Sequence, residues 1–181
     1  MIYVALGFVA VILIYIILVY NSLVALKNKV LEAFSTMDIY LKKRWDLVPN
    51  LVEIVKAYAG HEKEIFQNLA NLRASSYDDL SLKSKISKNM ELTAGLSRVF
   101  AVVENYPELK ASENFSKLSQ ELTKIEDDIA NSRKYYNGSV KQFNIKIMSF
   151  PSNIIAKLFG FEARTMFEAK EGERTNVEVS V

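Results

Sequence analysis

Between Phe115 and Phe150 the apolar residues Phe115, Leu118, Leu122, Ile125, Ile129, Tyr136, Val140, Phe143, Ile147 and Phe150 recur in steps of three and four, with Ser132 in the one small slot. A two-residue period would scatter these side chains over both faces of a strand. On a helix they form one stripe. A stripe of that length needs covering by further helices, which commits the chain to an all-α fold.

The rest of the sequence supplies the cover. Leu23, Leu26, Val30, Ala33, Met37 and Tyr40 predict a helix over residues 21–45. Proline suits a helix's first turn and disrupts its interior, so Pro49 predicts a second helix starting near Asp46. Its stripe is Val52, Val55, Tyr58, Ile65, Leu69 and Leu72, and the polar cluster 75–79 ends it. A third helix is expected from Leu82 to Asn105, with Ile86, Met90, Leu96, Phe100 and Val103 inside, closed by Tyr106-Pro107. Ser112 is a candidate N-cap for the last helix, with Glu113 at its positive end. Short connections favour antiparallel neighbours, so residues 27–150 are expected to form an up-down four-helix bundle.

Residues 1–26 read as a transmembrane anchor. No charged side chain lies between Ile2 and Leu26, and a bilayer core needs about 20 apolar residues of helix. Tyr3 and Tyr20 would stand about 26 Å apart, as interface anchors do. A cleaved signal peptide would have a basic leader and a small-residue cleavage site; neither is present. No Gly or Pro interrupts the join, so the membrane helix is expected to run directly into the bundle. Positive charge follows the span (Lys27, Lys29, Lys42, Lys43, Arg44), which places the N-terminus outside and the bundle in the cytoplasm.

Composition narrows the chemistry. Half the residues are hydrophobic and the net charge is +2, with no basic stripe interleaved with aromatics, so nucleic acid is not an expected partner. The absence of cysteine excludes disulfides, thiolate metal sites and cysteine nucleophiles. His61 is the single histidine. His61-Glu62 invites comparison with a zinc protease, but the position four residues on holds Ile65. Neither a glycine-rich phosphate loop nor a nucleophile elbow is present. The expectation is a non-enzyme without metal or cofactor.

Three sets of residues stand out as candidate sites. Glu126, Arg133, Asn137 and Asn144 form a polar ridge beside the long apolar stripe, and Glu62 fills a slot in the second stripe. The ridge reads as a network fixing helix register, with Arg133 paired to Glu62 or Asp38, or as a ligand groove. Arg44, Asp46 and Asn50 flank Pro49 and read as a recognition patch at the bundle's membrane-distal tip, or as turn chemistry. After Pro151 comes a short apolar helix whose Ile154, Ile155, Leu158, Phe159 and Phe161 either pack on the bundle's open end or touch lipid headgroups. In the tail (residues 151–181 with that helix), Val177, Val179 and Val181 alternate with polar residues beyond Gly172, a pattern that fits a β-hairpin.

Several stretches resemble the LemA family of bacterial membrane proteins. They are Asp38-Ile39-Tyr40-Leu41-Lys42-Lys43-Arg44-Trp45-Asp46-Leu47-Val48-Pro49-Asn50-Leu51-Val52-Glu53, then Ala57-Tyr58-Ala59-Gly60-His61-Glu62-Lys63-Glu64, Val103 to Phe115, Ser132-Arg133-Lys134-Tyr135-Tyr136-Asn137 and Phe150-Pro151-Ser152-Asn153-Ile154-Ile155-Ala156. The resemblance runs from the anchor's end to about Phe167. It implies one N-terminal membrane helix, a cytoplasmic helical bundle, a bacterial source and no established catalytic activity. Its genomic context offers a membrane protease or a TPM-domain protein as a partner. The expected function is a scaffold or adaptor at the inner face of the cell membrane, able to self-assemble there. The alternatives are a membrane sensor binding a ligand at Arg133, Asn137 and Asn144, and a hydrolase using carboxylates such as Glu62 and Glu126.

Overall fold

The computed structural model describes residues 1–59, 62–72 and 76–167. Every regular element among them is a helix: α1 (Ile2–Tyr58), α2 (Lys63–Leu72), α3 (Leu82–Val103), α4 (Pro107–Lys110), α5 (Glu113–Met148) and α6 (Ser152–Leu158). The all-α expectation holds, and so does the uninterrupted passage from the apolar N-terminal run into the body. His61 and the expected hairpin at Gly172, Val177, Val179 and Val181 lie outside the described residues.

The expected turn at Asp46–Pro49 is corrected: Pro49 sits inside α1, which continues to Tyr58. An interior proline costs roughly 3 kcal/mol through the lost N–H bond and its ring clash. Against that, Val48, Leu51, Val55 and Ala59 are all buried. Full burial of a large aliphatic side chain contributes roughly 1.5–3 kcal/mol, so the stripe outweighs the proline.

The chain forms two compact units, Thr36–Asn131 and Met1–Ser35 with the chain from Ser132 onward, and both α1 and α5 supply residues to each. In the first unit, Asp38 of α1 meets Lys85 of α3, and Arg44 meets Asn89 and Thr93, so these helices run parallel. Leu69 of α2 lies against Gly95, and Lys88 reaches the Leu72 carbonyl, so α2 and α3 are antiparallel. Phe100 packs on Phe115, while Thr93 and Glu126 share Arg44, so α3 and α5 are antiparallel as well. This is the up-down order of a four-helix bundle, with the first reversal after Tyr58 rather than before Pro49. The α3 stripe is Asn89, Leu92, Leu96, Val99 and Val103, rotated from the expected one because a polar residue occupies a core position. Ser81 caps α3, its hydroxyl accepting from the Ser84 N–H.

In the second unit, Lys29 donates to Gln142 and Phe34 packs edge-on to Tyr136, so α1 and α5 are antiparallel. Val19, Leu23, Val30 and Ala33 of α1 are buried in this unit, as are Tyr136, Val140 and Phe143 of α5 and Ile155 and Ala156 of α6. The α5 stripe is buried as expected through Phe143, but Phe150 is 80% exposed. Gly160 (φ +68°) ends α6. Its left-handed backbone lets the Phe161 N–H reach the Ala156 carbonyl and its own N–H reach Lys157, a Schellman closure.

Candidate functional site

Arg44 is 2% exposed. The expected role at an exposed tip is therefore corrected: position 44 falls three residues after buried Leu41, on the core stripe, and the guanidinium turns inward. Its Nη1 donates to Glu126 Oε1 at 2.6 Å and to Thr93 Oγ1 at 2.9 Å. Its Nη2 donates to the Asn89 carbonyl at 2.9 Å and to Asn89 Oδ1 at 3.0 Å. Asn89 is held in turn by its Nδ2, which donates to the Lys85 carbonyl. One charged fork thus ties α1, α3 and α5 through four hydrogen bonds and an ion pair, which make its buried charge tolerable, while its Nε is buried without a hydrogen-bond partner. Asp46 and Asn50 are exposed, and Asp46 takes an i,i+4 ion pair from Lys42 at 2.9 Å.

Asp38, one of the two partners expected for Arg133, is engaged within its own unit. It accepts from the Tyr77 hydroxyl at 2.6 Å and from Lys85 Nζ at 2.8 Å. Tyr77 also packs on Trp45 with ring centroids 5.4 Å apart. Burial, reinforced by the carboxylate of Asp38, holds the Tyr77 hydroxyl well above the usual phenol range. This anchors the connection after α2 onto α1 and α3.

The rest of the ridge belongs to the other unit, and the structure gives it an occupant: the chain's own extended segment 162–167. Asn137 Nδ2 donates to the Phe167 carbonyl at 2.8 Å, and its Oδ1 accepts from the Phe167 N–H at 2.7 Å. Two turns on, Asn144 repeats the pair with Arg164, at 2.8 and 2.9 Å. Between them the Tyr136 hydroxyl donates to the Thr165 carbonyl at 2.9 Å. Arg133 stacks its guanidinium 4.6 Å over the Phe167 ring. Two asparagines seven residues apart present amides at matching height, so the helix offers backbone-like groups to a strand-like segment. The two-turn spacing was legible; segment 162–167 carries no periodicity that would have named it as the occupant. Glu62 is half-buried just ahead of α2.

An open groove of about 670 Å³ lies between Tyr40, Lys43, Asp46 and Leu47 of α1 and Glu121, Lys124, Ile125 and Asp128 of α5. Its rim alternates cation and carboxylate over an apolar floor. Of its lining, only Asp46 had been singled out from sequence as a candidate site residue, because the groove needs two distant helices to exist. Among the described residues no three His, Cys, Asp or Glu side chains are grouped to hold a metal ion.

α1 is the one described helix long and apolar enough, by length and composition, to cross a membrane. A sequence model of the LemA family matches residues 33–181. The chain belongs to the LemA family. Among its relatives is Magnetosome protein MamQ 2 of Paramagnetospirillum magneticum, 25% identical over 184 residues, covering 87% of this chain and 68% of that one. Protein LemA of Metamycoplasma hominis is 26% identical over 161 residues, covering 88% and 74%. Magnetosome protein MamQ of Magnetospirillum gryphiswaldense is 24% identical over 184 residues, covering 87% and 68%. In this LemA-family chain the matched region spans the Arg44 fork, the asparagine pairs and the α1–α5 groove alike.

Proposed function

We propose that this LemA-family chain is a non-catalytic scaffold, tethered by residues 2–26 in the cell membrane with its body on the cytoplasmic side, that binds a protein partner along the α1–α5 groove. The observation that carries this reading is the state of the conspicuous polar groups. Arg44 and Glu126 are joined to each other, and Asn137 and Asn144 to the chain's own backbone. Glu126 and the two asparagines, which a hydrolase or a ligand sensor would draw on, are thereby engaged. The groove stays open, and its mix of charges over Leu47 and Ile125 suits a polar-rimmed protein contact better than a small apolar ligand. A membrane protease or a TPM-domain protein, suggested by family context, is the first partner to test; self-assembly is the second.

The test is photocrosslinking in intact membranes from positions 43 and 124, with position 98, on the exposed side of α3, as control. Crosslinks to one protein from both groove positions, abolished by Glu121→Lys with Asp128→Lys on the same rim, support the scaffold. Crosslinking no stronger than from position 98 ends it. Orientation is read separately: a Lys110→Cys chain, otherwise free of cysteine, should resist an impermeant thiol reagent in intact cells.

A further inference from the structure

The end of α5 and the outer side of α6 carry a bare apolar face. Met148 is 74% exposed, Phe150 80%, Ile154 60% and Leu158 74%. On α6 this face is sharply divided: Ser152, Ile155 and Ala156 turn inward and are buried, while Ile154 and Leu158, four residues apart, turn outward. Of the five residues expected here to meet either lipid or the bundle, Ile155 therefore belongs to the core, and Phe161 is half-buried. Bared apolar side chains of this size, close together along the chain, mark an interaction surface.

The occupant is indicated by what holds the face in place. Phe159 packs on Tyr20 with ring centroids 4.8 Å apart, and Phe161 packs on the same ring at 5.9 Å. Tyr20 closes the apolar run that begins at Ile2. Eighteen residue steps of helix measure about 27 Å, close to the roughly 30 Å hydrocarbon core. With Ile2 at one boundary, Tyr20 lies at the other, where tyrosine rings favour the headgroup level. Whatever packs on Tyr20 shares its depth. Lys157, exposed beside Leu158, has a charge suited to lipid phosphate and an apolar stem that can lie along the acyl boundary.

We propose that Met148, Phe150, Ile154 and Leu158 insert into the acyl–headgroup boundary of the same bilayer that α1 crosses, giving the body a second, monotopic contact with lipid. This rests on the membrane-spanning reading of residues 2–26 and adds to it. The contact would hold the α5–α6 corner against the surface.

The test uses the full chain in vesicles of phosphatidylcholine with a minority of phosphatidylglycerol, carrying one environment-sensitive thiol label at a time. Labels at Leu158→Cys and Phe150→Cys are compared with Leu13→Cys inside the span and Lys117→Cys on the exposed body. The expected result is quenching by a shallow nitroxide lipid several-fold stronger at positions 158 and 150 than at 117, with blue-shifted emission. Water-like emission and iodide quenching at 158 and 150, with position 13 still in lipid, overturn the proposal and leave the anchor standing. Water-like signals at position 13 as well overturn both. Labels at 158 and 150 that neither quencher reaches place the face against a second copy of the chain and also overturn it.

Discussion

Asn137 and Phe167 exchange two hydrogen bonds, side-chain amide to backbone amide, so that a helix residue stands in for one rung of a β-ladder. Asn144 and Arg164 form the next rung. The helix thereby fastens an extended segment that has no strand beside it.

Breaking a rung should free the segment without unfolding the helices. A net hydrogen bond contributes about 0.5–1.5 kcal/mol, so Asn137→Ala should weaken docking by about 1–3 kcal/mol. Asn137→Asp keeps the acceptor for the Phe167 N–H and sets a charge against the Phe167 carbonyl, so it should lose at least the donor's share. Hydrogen exchange at the Phe167 and Arg164 amides measures this. Unchanged protection in Asn137→Ala would refute the rung.

The Arg44 fork should dominate the stability of its unit. Removing one partner of a buried ion pair costs roughly 3–5 kcal/mol, because the other charge is left uncompensated. Glu126 is 39% exposed, so Glu126→Ala should fall at or below the lower end, while Arg44→Ala, which strands Asn89 and leaves a cavity, should reach the upper end. A double-mutant cycle by urea unfolding, read from the single tryptophan Trp45, separates the pair from the packing. Additive effects would mean the two do not interact.

Alkali should unfold the protein partly through Tyr77. Its folded-state pKa is raised by burial and by Asp38, and that of Tyr136 is raised by burial. The folded state therefore keeps both protons when the unfolded chain, titrating near its ordinary value of about 10, has released them. Their contribution is fully present below about pH 10 and declines above it, by up to about 1.4 kcal/mol per pH unit for each group. Tyr77→Phe should start less stable, having lost the bond to Asp38, and then lose stability less steeply between pH 10 and 11. Parallel slopes in the two proteins would disprove the assignment.

Two glycines should respond oppositely to alanine. A Cβ on Gly138 meets nothing within 4 Å, so Gly138→Ala should stabilise α5 by about 0.5–1 kcal/mol. A Cβ on Gly95 would stand 2.7 Å from Leu69 Cδ2. The resulting strain, typically about 1–3 kcal/mol, should cancel or exceed the gain in helix propensity. Melting temperatures of the two variants decide the matter.

What the sequence made legible was the part governed by period. The α5 stripe kept its three-and-four spacing, and burial followed it through Phe143. Pro49 was misplaced because a local rule was weighed without the four buried side chains that surround and follow it. Arg44 was misplaced because a charged residue reads as exposed until its spacing from Leu41 is set against its chemistry. Asn89 rotated the expected α3 stripe for the same reason. The ridge was visible as a spacing, but its occupant was not, since a segment gripped through its amides leaves no trace in its own side chains.

That last property reaches beyond the fold. The side chains of Glu162, Ala163, Arg164, Thr165 and Met166 all face outward while the chain beneath them is clasped. Most of the stretch is thus free to vary in charge, size or polarity without loosening the clasp, provided positions 164 and 167 never become proline, which has no N–H to give. The protein carries a docked ribbon whose outer lettering can be rewritten while its attachment stays the same.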